Sequence, residues 1–220
     1  MTRWNRLAGL RLAVPALACA AALAAGCAHS VSASASLPAR EADAMTAPGS
    51  HAATDNPTLT ADEIGRRFLE LIGGLESRDQ LSVDRIREVM GIAIPLEPGA
   101  LRAGVASEDL GGGWHYVLNF VPGSSTNPQG VALSFVNERD RFADMTPICG
   151  LDFEAYHNAL KAMGFEAEPH HGEIGELRSW RYTKFKPGDG TVDMTISLVP
   201  KNHDRGRSGR LCVQSIGTLN

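Results

Sequence analysis

Apolar residues recur along the chain with two different periods, and the switch between them marks out most of the elements. Ile64, Phe68, Leu71, Ile72 and Leu75 follow the three- and four-residue spacing of a helix, with Arg66, Arg67 and Glu70 on its opposite side. Thr60 and Glu63 stand just before this run at the spacing of a capping box, in which the threonine hydroxyl accepts from the Glu63 amide and the carboxylate returns to the Thr60 amide. Ser82 opens a second, shorter helix with Val83, Ile86 and Val89 inward and Gly91 as its stop. Asp152 opens a third, with Phe153, Tyr156, Leu160 and Met163 sharing one side and Gly164 ending it. Asp152 and Glu154 at its start and Lys161 near its end complement the helix dipole.

A period of two governs other stretches. Trp114, Tyr116, Leu118 and Phe120 alternate with His115, Val117, Asn119 and Val121, which predicts a strand with its aromatic side in the core. Val131, Leu133 and Phe135 alternate likewise after a loop of turn formers, Pro122 to Gly130. Leu177 to Phe185, Val192 to Leu198 and Leu211 to Ile216 complete the set, and polar outward residues on most of them suit antiparallel strands with one wet face. The expected fold is α+β: helices packed on one face of an antiparallel sheet of about five or six strands, in an element order that suggests two related halves.

The first 27 residues follow neither period. Arg3, Arg6 and Arg11 precede an apolar run, Leu12 to Ala25, interrupted only by Pro15 and Cys19 and closed by small residues, the three parts of an export signal. The run is shorter than the roughly 20 residues needed to span a bilayer, so removal rather than anchoring is expected. Its end, Leu23-Ala24-Ala25-Gly26-Cys27, resembles the lipobox of bacterial lipoproteins, with Leu one place earlier than usual and Ala24 in the usual leucine position. The resemblance implies lipidation of Cys27. Ala28, which is not the aspartate of inner-membrane retention, implies the periplasmic face of the outer membrane. An ordinary secretory signal cut near Ala25, leaving Cys27 a free thiol, is the alternative. Residues 28–59 are rich in Ala, Ser, Thr and Pro and cannot bury enough surface to offset their ordering entropy. The chain therefore divides into a signal peptide (1–26), the lipidated cysteine with a flexible linker (27–59) and a single periplasmic domain (60–220).

Composition sharpens this picture. With 43% hydrophobic and 21% charged residues among 220, the chain is globular in class, which excludes collagenous and wholly disordered readings. The net charge of -4 hides an asymmetry: the leader holds three arginines and no acid, leaving 18 basic against 25 acidic side chains, or about -7. An acidic body argues against a nucleic-acid binder, whose affinity comes from neutralising phosphates. Of 4 cysteines, Cys19 leaves with the leader and Cys27 carries lipid, so Cys149 and Cys212 remain. In an oxidising compartment a disulfide is their simplest state, two buried thiols that never meet being the alternative. Bonding would close a loop of about 64 residues and stabilise by about 4 kcal/mol.

Motifs of catalysis with specific spacing, such as GxSxG, HExxH and GxxxxGK[ST], do not occur, and no cofactor or metal is expected. His170 and His171 with Glu173 come nearest to a metal or catalytic set, but the expected reading is a solvated polar turn after the third helix. Asp189 and Asp193 flank hairpin glycines rather than a calcium loop, and Gly111-Gly112-Gly113, which precedes a strand, reads as a turn rather than a phosphate cradle. Pro122 to Gly130 and Pro200 to Arg210 are long, polar loops borne on strands, which makes Asn127, Gln129, His203, Arg205, Arg207 and Arg210 candidate partner-binding residues.

The layout of lipobox, leash and helices, with Leu59-Thr60-Ala61-Asp62-Glu63-Ile64 and the segment from Leu81 to Gly91, resembles periplasmic immunity lipoproteins that neutralise secreted antibacterial effectors. The resemblance implies a non-enzymatic protein whose acidic surface steers onto a basic effector and occludes it. A lipoprotein of envelope assembly or maintenance is the alternative, and a peptidoglycan-acting enzyme using His170, His171 and Glu173 is the third reading.

Overall fold

Each helix begins at a residue whose side chain accepts from its own first turn. In the computed structural model, which describes residues 56–96, 104–201 and 209–218, α1 spans Ala61–Gly73, α2 Val83–Met90 and α3 Phe153–Ala162. Thr60 Oγ1 accepts from the Glu63 amide at 3.2 Å and the Glu63 carboxylate accepts from the Thr60 amide at 2.9 Å, the expected reciprocal cap. Ser82 and Asp152 cap α2 and α3, accepting from the Arg85 and Ala155 amides. Gly91 ends α2 in the left-handed region, φ 71°, which a residue without Cβ enters at no steric cost. The leader, Cys27 and the tether as far as residue 55 lie outside the described residues, as do His203, Arg205 and Arg207. The last residues assigned to the tether instead join the domain, with Leu59 buried in the core and Asn56 exchanging hydrogen bonds with the Ala93 backbone. The described residues belong to one compact unit, Gly49–Asn220.

Seven strands form one antiparallel sheet: β1 Gly104–Gly111, β2 Trp114–Val121, β3 Gly130–Asn137, β4 Glu166–His171, β5 Leu177–Phe185, β6 Val192–Pro200 and β7 Val213–Thr218. Their order is β1-β2-β3-β7-β6-β5-β4, two meanders that meet where β3 pairs with β7. The count exceeds the expected five or six because both edge strands escape a search for apolar alternation. β1 carries Ser107-Glu108-Asp109, and β4, with Glu166, Glu168 and Pro169, has no buried residue at all. His170 and His171 therefore close a strand rather than occupy the polar turn expected of them. Edges bury little, so selection for a hydrophobic period is relaxed there.

Trp114, Tyr116, Leu118 and Phe120 of β2 bury one side of the sheet together with Leu133, Phe135, Tyr182, Met194, Ile196, Leu198 and Ile216. Ile64, Phe68, Leu71 and Ile72 of α1, Ile86 and Met90 of α2, and Tyr156 and Leu160 of α3 join them in one cluster. Each such side chain contributes about 1.5–3 kcal/mol on leaving water. α1 approaches α3 closely at Gly65, where a Cβ would collide with the Tyr156 hydroxyl.

Cys149 and Cys212 lie at disulfide distance, with Cα atoms 5.4 Å apart, both buried. The link ties a residue four positions ahead of α3 to the residue before β7. Beside it the Phe153 amide donates to Leu211 O at 2.7 Å, and Asp152 forms a bridge with Cys212. Replacing both cysteines by serine is expected to lower unfolding free energy by about 4 kcal/mol. Urea denaturation of the variant and the parent checks this; equal midpoints would show that the loop is constrained by other means.

Candidate functional site

The described residues of the two loops singled out in the sequence lie at opposite ends of the sheet. Val121 pairs with Gly130, and the Val131 amide donates to Thr218 Oγ1, so Pro122 to Gln129 caps the end where β7 finishes. Pro200 pairs with Val213 and Trp114 with Asn137, so Lys201 and Arg210 stand at the other end. Strands of this length hold the two ends about 25 Å apart. The candidate set Asn127, Gln129 and Arg210 is therefore not one patch.

Gln129 has a structural task. Its side-chain amide donates to Arg78 O at 3.1 Å, while its own carbonyl accepts from Arg78 Nε at 2.6 Å. Arg78 sits on the 3-10 turn Arg78–Gln80, is 9% exposed and also reaches Thr218 Oγ1 at 3.4 Å; loss of solvent lowers its pKa. This latch joins the α1–α2 connection to the ends of β3 and β7. Asn127 keeps an exposed side chain, and its backbone closes the turn with Ser124.

The opposite end carries a better-organised surface, built by the loop from Asn137 to Met145. Asn137 is buried at 9% exposure; its Oδ1 accepts from the Arg139 and Asp140 amides at 3.0 and 3.1 Å. Its Nδ2 donates to Gly112 O in the β1–β2 turn at 3.4 Å. Asp140 then accepts from the Phe142 amide at 2.8 Å. Lys201 Nζ donates to Arg141 O at 2.6 Å and lies 5.4 Å from the centre of the Trp114 ring, and partial burial lowers its pKa. Held in this way, the loop presents Phe142 at 73% exposure with the Arg141 guanidinium 4.6 Å from its ring centre. Sequence reasoning missed this pair; the available signal was a phenylalanine directly after the charged run from Glu138 to Arg141, where no core position was predicted.

Chemistry elsewhere is structural in character. His157 Nδ1 shares a hydrogen bond of 2.9 Å with the Tyr182 hydroxyl, and its ring packs against Phe153 and Trp180 at 5.5 Å from each. His170, His171 and Glu173 are exposed on β4 and the following turn. Among the described residues no three His, Cys, Asp or Glu side chains are grouped to hold a metal. Gly111 to Gly113 form the β1–β2 turn, all with positive φ. Asp189 accepts from the Thr191 amide and hydroxyl in the β5–β6 hairpin, and those bonds lower its pKa.

All 3 tyrosines of the chain, Tyr116, Tyr156 and Tyr182, are fully buried. Burial is the main cause that raises their pKa values, Tyr116 to about 12, with carboxylates Glu108, Asp62 and Glu154 adding to it in turn. A phenol with a raised folded pKa stabilises fully below its unfolded pKa of about 10 and loses that contribution as pH climbs through about 12. Tyrosinate absorbance and circular dichroism should change together above about pH 10; stepwise ionisation with the fold intact would contradict the burial.

Gln129→Ala is expected to cost about 1–2 kcal/mol of stability, the scale of the hydrogen bond it removes and the partner it strands, whereas Asn127→Ala is neutral. Thermal melts of the two variants compare them directly. A comparison with protein-family models, curated proteins and solved structures finds no match for this chain.

Proposed function

We propose that this protein is a lipid-anchored protein-binding module on the periplasmic face of the outer membrane, an immunity protein that binds and occludes a basic secreted effector. One observation carries the reading: Phe142 and Arg141, exposed side by side on a loop made rigid by Asn137 and Lys201. Aromatic and arginine side chains dominate the energetics of protein interfaces, and a pre-ordered loop loses little entropy on docking. The acidic balance of the chain beyond its leader adds long-range attraction for a basic partner. In the same reading the helices form a layer on the buried face of the sheet, and the two meanders are related halves, a rigid platform for the loop.

Co-purification with the lipidated chain followed by rescue of a susceptible strain tests the proposal. A basic secreted protein should be retained, and Phe142→Ala should weaken that retention at least about tenfold while shifting stability by under about 0.5 kcal/mol. Retention of no secreted protein, with producer cells still resistant after deletion, refutes it.

A further inference from the structure

The two edges of the sheet are defended unequally. β4 holds Pro169 near its middle, which removes a backbone donor, and exposes Glu166, Glu168, His170 and His171 along its length. β1, at the other edge, is free of proline and regular from Gly104 to Asp109, where its register with β2 shifts before Gly111, and among the described residues it pairs with β2 alone. Alternate residues of such a strand turn their N–H and C=O groups away from its neighbour, and among the described residues these donors and acceptors have no backbone partner.

Side chains on β1 select what such an edge accepts. Glu108 shares its side of the strand with the core residues Gly104 and Ala106, and Asp109 lies exposed on the other side. An antiparallel second copy overlapped along the whole of β1 would set Glu108 opposite Ser107 and diagonal to Asp109 of its neighbour, and like charges at that diagonal repel. A basic segment meets the opposite condition. Val105, 46% exposed, offers apolar contact to the same incoming strand. On the neighbouring outward positions of β2 and β3, Val117, Asn119, Ala132, Ser134 and Val136 are uncharged, while His115, paired with Asp109, lies 3.4 Å from the Glu138 carboxylate.

We propose that β1 is a docking edge for an extended, lysine- or arginine-bearing segment of a partner protein, which adds to the sheet as an eighth strand. The inference rests on the protein-binding reading above and gives that partner its chemistry. Backbone pairing supplies most of the contact, and Glu108 and Asp109 set the charge preference and the register.

The test uses the full chain and a synthetic peptide of alternating valine and lysine matched to β1 in length. Hydrogen exchange should slow in β1 and stay unchanged in β4. A valine–glutamate peptide should bind at least about tenfold more weakly, and Glu108→Lys should erase most of that preference. N-methylating alternate peptide residues distinguishes strand addition from general attraction: one phase of methylation should abolish binding and the other leave it intact, since only one peptide edge faces β1. Equal binding by both phases, protection away from β1, no protection at millimolar peptide, or a dimer with protected β1 amides each overturns the proposal. These outcomes are independent of co-purification: capture of an effector whose binding is unaffected by Glu108→Lys and leaves β1 amides exchanging freely would preserve the protein-binding function and remove the edge.

Discussion

The pairing of β3 with β7 is the constraint on which the whole sheet rests. Only three residue pairs, Ala132 with Gly217, Leu133 with Ile216 and Ser134 with Ser215, join one meander to the other. The seam is close: a Cβ on Gly217 would fall 2.6 Å from the Ala132 Cβ, so glycine lets the strands meet. Short pairing is compensated by clamps at both ends of β7. Cys149 and Cys212, with the Phe153 to Leu211 hydrogen bond, hold its beginning, and Thr218 with Arg78 and the Val131 amide holds its end. Remove β7 and Leu133 and Leu198, both fully buried, lose the Ile216 side chain that lies between them.

That arrangement assigns roles to loops that look alike in composition. The loop ahead of β3 is polar and rich in turn formers, as a binding loop would be, yet Gln129 is committed to Arg78 and so to the clamp on β7. The loop after β3 has its internal hydrogen bonds supplied by Asn137 and Asp140, which frees Arg141 and Phe142 to face outward. Rigidity at the first loop maintains the fold, whereas at the second it presents a surface.

Elements with a buried side were legible in the sequence. The caps at Thr60, Ser82 and Asp152, the stop at Gly91 and the alternation of β2 follow local rules that tertiary packing here reinforces. β1 and β4 were not legible, because an edge strand is defined by its single neighbour rather than by a hydrophobic period. The disulfide was legible by subtraction, from two cysteines left without another use. The surface at Phe142 was not: its exposure depends on Lys201, sixty positions along the chain, reaching back to Arg141 O. No window of sequence contains both.

The place of β7 also governs the order in which the molecule can be completed. It is the last of the described elements yet sits in the middle of the sheet, and the Thr218 hydroxyl meets the Val131 amide across a separation of 87 residues. Until it arrives, β3 and β6 each present an open apolar edge, and such edges promote association between incomplete chains. Closing so long a loop is also intrinsically slow. A growing copy of this domain therefore passes through a half-built stage that ends only when β7 is inserted between two strands already waiting for it.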